Sequence, residues 1–195
     1  MNTVFNTRKL TAMGILAGLS VALVFLIRFP IFPQAPFFEY DPADIPILIA
    51  AFAFGPWAGL IVTVIAAIAQ GVTVSASSGV YGVLMHIIST GSYVLTAGII
   101  YRARRNRLDT GIALLWGVLV SAAVMTAANL IITPLFMGAP VEAVKAILPF
   151  IIAFNLLKSG ANGVVTFFLY KSISRFIKGR KSDGQPDGET DENSR

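Results

Sequence analysis

The sequence predicts an all-α membrane protein with six transmembrane helices and both termini in the cytoplasm. Of its 195 residues, 55% are hydrophobic and 13% are charged, whereas about a quarter of the residues of a soluble domain carry charge. The apolar residues form long runs of the length that crosses a bilayer. Basic residues cluster directly after two of these runs, as they do in short cytoplasmic loops. These three observations together predict the fold class.

The positions of the basic residues give the predicted orientation. The two clusters are Arg102, Arg104, Arg105 and Arg107, and Lys171, Arg175, Lys178, Arg180 and Lys181. Because both directly follow apolar segments, the positive-inside rule places them on the cytoplasmic side. The formal net charge of +5 therefore indicates cytoplasmic loops, and nucleic acid is not expected as a partner.

Several kinds of chemistry are excluded by residues that the sequence lacks. There is no cysteine and a single histidine, His86, so thiol catalysis, disulfides and histidine-rich metal sites are not possible. Neither an H-E-x-x-H motif nor a G-x-x-x-x-G-K-[ST] motif occurs. We therefore expect no enzyme activity, no ATP hydrolysis by this chain and no cofactor of its own.

The first apolar run predicts a retained helix from Leu10 to Ile27 that enters from the cytoplasm. It ends at Arg28-Phe-Pro instead of a small-residue cleavage site, which argues against a signal peptide. Small residues recur along it at four-residue spacing, at Gly14, Gly18 and Ala22. Such a ridge lets another helix approach closely, and both a helix of the same chain and a partner protein fit it.

An acidic segment follows in the first outside loop, predicted over residues 28–43, where prolines disfavour helix. Glu39, Asp41 and Asp44 lie close together just before a nearly pure apolar run. Carboxylates are costly beside lipid, so this segment predicts a polar mouth. Helix 2 is expected to begin at Asp41 or Asp44, with either residue as its N-terminal cap, and to end at Gly55-Pro56.

Four further helices complete the predicted bundle. Their expected bounds are 57–74, 81–101, 110–132 and 149–170. Residues 75–79 and 133–148 are predicted as outside loops, the latter with a short amphipathic helix around Glu142 and Lys145. The transmembrane domain then spans residues 1–178, and the polar segment 179–195 is predicted as a disordered cytoplasmic tail.

Polar side chains inside the predicted helices indicate a small-molecule site. Lys158 is the most informative, because a buried ammonium must face the bundle interior and find a partner or lose its proton. Asn155 lies one turn before it, in a stripe that continues through Asn162 and Thr166, and Asn129 lies on helix 5. On helix 4, one face carries His86, Ser89, Thr90 and Tyr93.

With Asp41 and Asp44 above, these groups could surround a ligand in a small apolar pocket. Other interpretations stay open. Asn129 would then only bind a neighbouring helix, His86 would be a packing residue with satisfied hydrogen bonds, and Asp44 would only cap helix 2.

Four segments resemble the riboflavin-specific S-components of energy-coupling-factor (ECF) vitamin transporters. These segments are Glu39-Tyr-Asp-Pro-Ala-Asp-Ile-Pro46, Phe54-Gly-Pro-Trp-Ala-Gly59, Asn129-Leu-Ile-Ile-Thr-Pro-Leu-Phe136 and Phe154-Asn-Leu-Leu-Lys-Ser-Gly160. The resemblance covers residues 8 to 178 in the order of the family. The motifs Y-D-P-x-D-I-P and Asn-x-x-Lys are fairly specific when they occur together.

The resemblance implies a six-helix protein of the prokaryotic plasma membrane that binds one riboflavin near its outer face. It implies that Asn129, Asn155 and Lys158 hydrogen-bond the flavin ring and that residues 36–46 gate entry. Its expected partners are a membrane coupling protein, contacted through the ridge of helix 1, and two cytoplasmic ATPases. The candidate ligand-binding residues are Tyr40, Asp41, Asp44, His86, Asn129, Asn155 and Lys158.

Two departures from the family pattern keep alternatives open. The family uses alanines four apart on helix 1 where this chain has glycines, and Met85-His-Ile-Ile-Ser-Thr is not its usual helix 4 sequence. A different vitamin or precursor therefore stays an alternative ligand. A structural membrane protein, whose polar residues only join helices, is the third reading.

Overall fold

Six α-helices and one β-hairpin make up residues 7–32, 35–104 and 107–182, the part of the chain that the computed structural model describes. In chain order the elements are α1 (Thr7–Leu26), β1 (Phe29–Phe32), β2 (Ala35–Tyr40), α2 (Asp44–Phe54), α3 (Pro56–Val72), α4 (Gly79–Arg104), α5 (Arg107–Met137) and α6 (Val141–Ser182). A short 3-10 turn, Ala76–Ser78, precedes α4. The predicted helical fold class is confirmed, and α1, α3 and α4 end within a turn of their predicted bounds.

Three helices of the described chain are long and apolar enough to cross a membrane by length and composition. They cover Thr7–Leu26, Gly79–Ala103 and Asp109–Met137. The shorter apolar helices α2 and α3 are joined at Gly55 and Pro56. The turn requires glycine because Gly55 has a φ of 101°, which side chains rarely permit. Large apolar side chains such as Ile15, Phe25 and Phe168 are exposed, as expected for a surface that faces lipid.

The predicted outside loop 133–148 and the helix 6 start at Pro149 are wrong. α5 continues through Pro134 to Met137, and α6 begins at Val141 and continues through Pro149. Proline is tolerated within membrane helices because neighbouring groups can satisfy the backbone that it frees. The stop signal is instead Gly138, whose φ of 60° is typical of the residue that ends a helix.

The segment predicted to be a separate amphipathic helix, around Glu142 and Lys145, therefore forms the first turns of α6. At its other end, α6 includes residues 179–182 of the predicted tail. Residues 183–195 lie outside the described residues.

The predicted first outside loop contains the hairpin. β1 and β2 pair antiparallel, with Phe29 opposite Tyr40 and Phe32 opposite Ala35. Arg28 forms an ion pair with Glu39 and donates from its guanidinium to the Val74 carbonyl at 2.6 Å. These contacts attach the hairpin to the segment that follows α3.

α2 lies at the centre of the fold, where most of its residues are buried and where it packs against α1, α3, α4 and α6. It begins at Asp44, so the alternative start at Asp41 is wrong. The predicted capping by either aspartate is also wrong, because the cap residue is Ala43 and the first turn has no side-chain capping hydrogen bond. Both carboxylates have other partners, described below.

α1 turns its small-residue ridge away from the rest of the chain. Its buried side carries Met13, Ala17, Ser20 and Val24, whereas Gly14, Gly18 and Ala22 are exposed. Apart from the neighbouring residues and backbone of α1 itself, no atom of the described chain lies within 4 Å of a Cβ added at Gly14 or Gly18. Packing of this ridge against a helix of the same chain is therefore wrong.

Candidate functional site

Two adjoining cavities lie at the end of the bundle where the hairpin meets α4, α5 and α6. The larger, here called the apolar cavity, has a volume of about 370 Å³, within the range of small-molecule sites. Its wall is formed by Phe38, Ser78, Tyr81, Gly82, Met85, Met125, Asn129, Ile132, Thr133, Phe136, Met137, Ile147, Ile151, Phe154 and Asn155. Apart from the asparagines and hydroxyl groups, this wall is hydrocarbon, aromatic ring and thioether.

The second cavity, here called the polar cavity, has a volume of about 220 Å³. Its polar wall residues are Arg28, Glu39, Asp41, Gln70, Ser75, Ser78, His86, Ser89, Thr90, Asn155 and Lys158. The two cavities share Ser78, Gly82, Met85, Met125, Phe154 and Asn155. A ligand with one apolar and one polar end could therefore occupy both at once.

The hairpin contributes an aromatic wall to the apolar cavity. Phe38 on β2 is 8% exposed and stacks on Phe154, with 5.0 Å between ring centroids. Phe32 makes edge contacts with Phe38 and with Phe150. Part of the segment 36–46, predicted to gate entry, thus lies directly against the cavity.

Lys158 forms an ion pair with Asp41, which is the partner that a buried ammonium was predicted to need. Its Nζ donates to Asp41 Oδ2 at 2.6 Å, and Asp41 Oδ1 accepts from the Ala43 backbone N–H at 3.1 Å. Burial raises the pKa of the Asp41 carboxyl, but the Lys158 ammonium, His86 and the Ala43 N–H outweigh it and hold this pKa below its usual value. The ion pair lies in the wall of the polar cavity.

Asn162 is the centre of a buried network that lies behind this pair. Its Nδ2 donates to Asp44 Oδ2 at 3.0 Å and to the Asp41 carbonyl at 3.1 Å, and its Oδ1 accepts from the Tyr40 hydroxyl at 2.9 Å. Thr90 donates to the other Asp44 oxygen at 2.6 Å. The network joins the end of the hairpin, α2, α4 and α6.

Tyr40 and Asp44, both predicted ligand contacts, take part in this network and do not line either cavity. Asp44 is 3% exposed and both its oxygens accept hydrogen bonds. Asn162 was absent from the predicted contacts, although it lies one turn beyond Lys158 on the polar stripe of α6. Its position on this stripe was the feature of the sequence that could have predicted its part in the network.

Asn129 and Asn155, by contrast, both line the apolar cavity. Each is anchored on its own helix, where Nδ2 donates to the Met125 carbonyl at 2.7 Å and the Ile151 carbonyl at 2.8 Å, respectively. Thr133 donates to Asn129 Oδ1 at 2.8 Å. Asn155 also lines the polar cavity, so it stands at the junction.

His86 lines the polar cavity. Its Nε2 is buried and has no hydrogen-bond partner among the described residues. His86 is therefore not a packing residue with all its hydrogen bonds satisfied, because Nε2 lacks a partner among the described residues.

Comparison with known proteins matches almost the whole chain. The family described as "ECF transporter, substrate-specific component" matches residues 8–170. The chain is 27% identical over 180 residues to the riboflavin transporter RibU of Staphylococcus aureus (strain TCH60), covering 89% of this chain and 94% of that protein. It is 25% identical over 187 residues to the riboflavin transporter FmnP of Bacillus subtilis (strain 168), covering 91% and 97%.

A solved structure of the S component of a bacterial ECF transporter is similar in fold. It superposes with a TM-score of 0.79 at 27% identity, covering 88% of this chain and 98% of that one. The similarity in fold therefore covers most of the chain.

Proposed function

Since the chain belongs to the substrate-specific components of ECF transporters, we propose that it binds riboflavin from outside the cell for ATP-driven uptake. In this proposal it lies in the prokaryotic plasma membrane with both termini in the cytoplasm, and it has no cofactor of its own. The observation that carries the proposal is the pair of adjoining cavities, one apolar and one polar, with Asn155 at their junction. Riboflavin has the same division, because its dimethylbenzene end is apolar and its pyrimidine edge and ribityl chain are polar.

The flavin ring lies in the apolar cavity with its pyrimidine edge toward the junction. That edge alternates carbonyl acceptors, ring nitrogens and an N–H donor, which amide side chains can pair with. Asn129 and Asn155 are the amides in the wall. Phe38 and Phe154 supply aromatic surface to the same cavity, and such surface favours a planar ring.

Lys158 binds the same edge without losing its partner. An ammonium group has three donors, and the described contacts of Lys158 use one of them for Asp41. The remaining donors can reach flavin carbonyls while the ion pair stays formed. The charge therefore stays compensated in both the empty and the loaded protein.

The first test is the absorption and fluorescence of the protein purified in detergent, followed by titration with riboflavin. We expect a yellow preparation with one flavin per chain, or quenching of riboflavin fluorescence that saturates at one to one. A panel of thiamine, biotin and folates should not compete. A colourless protein that ignores riboflavin would contradict the proposal, and competition by another vitamin would identify a different ligand.

Proteins of this family work with an ECF module, and the ridge on α1 is the surface that we assign to it. Gly14, Gly18 and Ala22 are exposed at four-residue spacing, which permits close approach of a partner helix. The partner there is the membrane coupling protein, and two cytoplasmic ATPases supply the energy.

Filling this ridge should separate transport from binding. We expect Gly14→Leu with Gly18→Leu to abolish ATP-driven riboflavin uptake into vesicles that contain all subunits, because leucine side chains prevent close helix packing. Riboflavin affinity should be unchanged, since the ridge contributes nothing to either cavity. Ala123→Leu, an exposed small-to-large change on α5, is the matched control and should leave uptake intact. Normal uptake by the double variant would exclude the ridge as the contact.

A further inference from the structure

Two side chains in the wall of the polar cavity have a buried nitrogen without a partner. Gln70 on α3 is 5% exposed, and its Nε2, like the Nε2 of His86 on α4, has no hydrogen bond among the described residues. The large majority of buried side-chain polar atoms in native proteins have a hydrogen-bond partner. Two such exceptions in the wall of one cavity indicate that a bound molecule completes them.

The charged groups of the same cavity already have partners. Arg28 is paired with Glu39 and donates to the Val74 carbonyl, and Lys158 is paired with Asp41. The groups that still need a partner are therefore an amide and an imidazole, which form hydrogen bonds with neutral groups. A hydroxyl both donates and accepts, so it can satisfy either tautomer of His86 as well as the Gln70 N–H.

We propose that Gln70 and His86 bind the hydroxylated chain of the ligand and make the protein select riboflavin over flavins that lack this chain. The inference rests on the proposed function, since it takes the ring to lie in the apolar cavity. The ribityl chain leaves the flavin at N10, beside the pyrimidine ring. With the pyrimidine edge at Asn155, the chain enters the polar cavity, where Gln70 and His86 lie.

Selectivity follows from the buried nitrogens. Lumiflavin has the same ring with a methyl group at N10, so it leaves both nitrogens without partners. A site that hydrogen-bonds a hydroxyl strongly rejects an analogue without it, because its own polar groups then stay buried and unpaired. The wild-type protein should therefore bind riboflavin at least about a hundredfold more tightly than lumiflavin.

The test measures both ligands on the wild type and on Gln70→Leu and His86→Phe by equilibrium titration. Each variant should bind riboflavin about tenfold more weakly, as expected for one lost hydrogen bond, and lumiflavin as the wild type does. Thr133→Val is the matched control in the apolar cavity. It frees Asn129, which contacts the ring, so it should weaken the two ligands by the same factor.

The outcomes distinguish this inference from the proposed function. A wild type that binds both ligands equally well overturns the inference, and so do variants that lose both ligands by the same factor. A wild type that binds neither ligand overturns the proposed function itself. Thermal unfolding in detergent shows whether each variant is folded; a variant that is not folded is replaced by His86→Gln or Gln70→Asn, which keep a polar group. The wild-type ratio tests the selectivity, and the variants test its assignment to Gln70 and His86.

Discussion

Replacing Lys158 and Asn155 together by alanine should abolish tight riboflavin binding. The change removes the ammonium and the junction amide, and with them the hydrogen bonds to the pyrimidine edge. A charge-assisted bond and a neutral one contribute together about 4 kcal/mol, or about a thousandfold in affinity. Titration by fluorescence quenching measures the loss, and size-exclusion chromatography in detergent checks that the variant is inserted and folded.

This variant also leaves the Asp41 carboxylate without its partner. Breaking a buried ion pair from one side costs about 3–5 kcal/mol of stability, so lost binding and lost folding must be separated. Asp41→Asn combined with Lys158→Met removes both charges and leaves no isolated ion. This charge-free pair should unfold near the wild-type temperature and still fail to bind riboflavin tightly.

Unchanged riboflavin affinity in the alanine variant would exclude this site. If the wild type has no saturable ligand and substitution at Lys158 lowers only stability, the chain is a structural membrane protein instead.

The sequence predicted that Lys158 needs a partner, but it did not identify Asp41 as that partner. The need follows from the cost of a charge in lipid, which depends only on position in an apolar run. The identity depends on how the hairpin sits over α6. That hairpin lay in a segment interpreted as a loop, so the alignment of Asp41 with Lys158 was not available from periodicity.

The ends of α5 and α6 were also predicted incorrectly from the sequence. Helix 5 was predicted to end at residue 132 and helix 6 to begin at Pro149, yet Pro134 and Pro149 both lie inside helices here. In a bundle, neighbouring groups satisfy the freed backbone, so proline is a weak stop signal. Gly138, with its positive φ, was the better signal for the end of α5.

Asp41 and Asp44 are close together in sequence but have different roles in the structure. Asp41 lines the polar cavity, whereas Asp44, only three residues on, is enclosed by Asn162 and Thr90. Sequence proximity grouped them as ligand contacts. Which one faces the cavity depends on where α2 begins, and its first turn carries Asp44 into the core.

Replacing Asn162 by leucine should destabilise the protein more than replacing the equally buried Thr166 on the same polar stripe of α6. Asn162 is fully buried, and its loss removes donors to Asp44 Oδ2 and the Asp41 carbonyl and the acceptor for the Tyr40 hydroxyl. Leaving a buried carboxylate oxygen short of a donor costs about 2–4 kcal/mol. Thermal unfolding in detergent, followed by circular dichroism, should show a clearly lowered midpoint.

Thr166→Val is the matched control for this change. Thr166 is equally buried and lies one turn further on α6, but among the described residues its hydroxyl bonds only the Asn162 backbone carbonyl of the same helix. Its loss should cost about 0.6 kcal/mol, as for an average polar contact within a membrane protein. Equal midpoints for the two variants would mean that the network contributes no more than ordinary helix packing.

Unfolding in the presence of riboflavin tests whether Asn162 stabilises the fold or binds the ligand. A ligand that binds only the folded state raises the unfolding midpoint according to its concentration and affinity. Because Asn162 lines neither cavity, saturating riboflavin should still raise the midpoint of Asn162→Leu. The same riboflavin concentration should raise the midpoint of the charge-free Asp41–Lys158 pair much less, because that variant binds riboflavin more weakly. A midpoint of Asn162→Leu that riboflavin leaves unchanged would instead place Asn162 among the residues that bind the ligand.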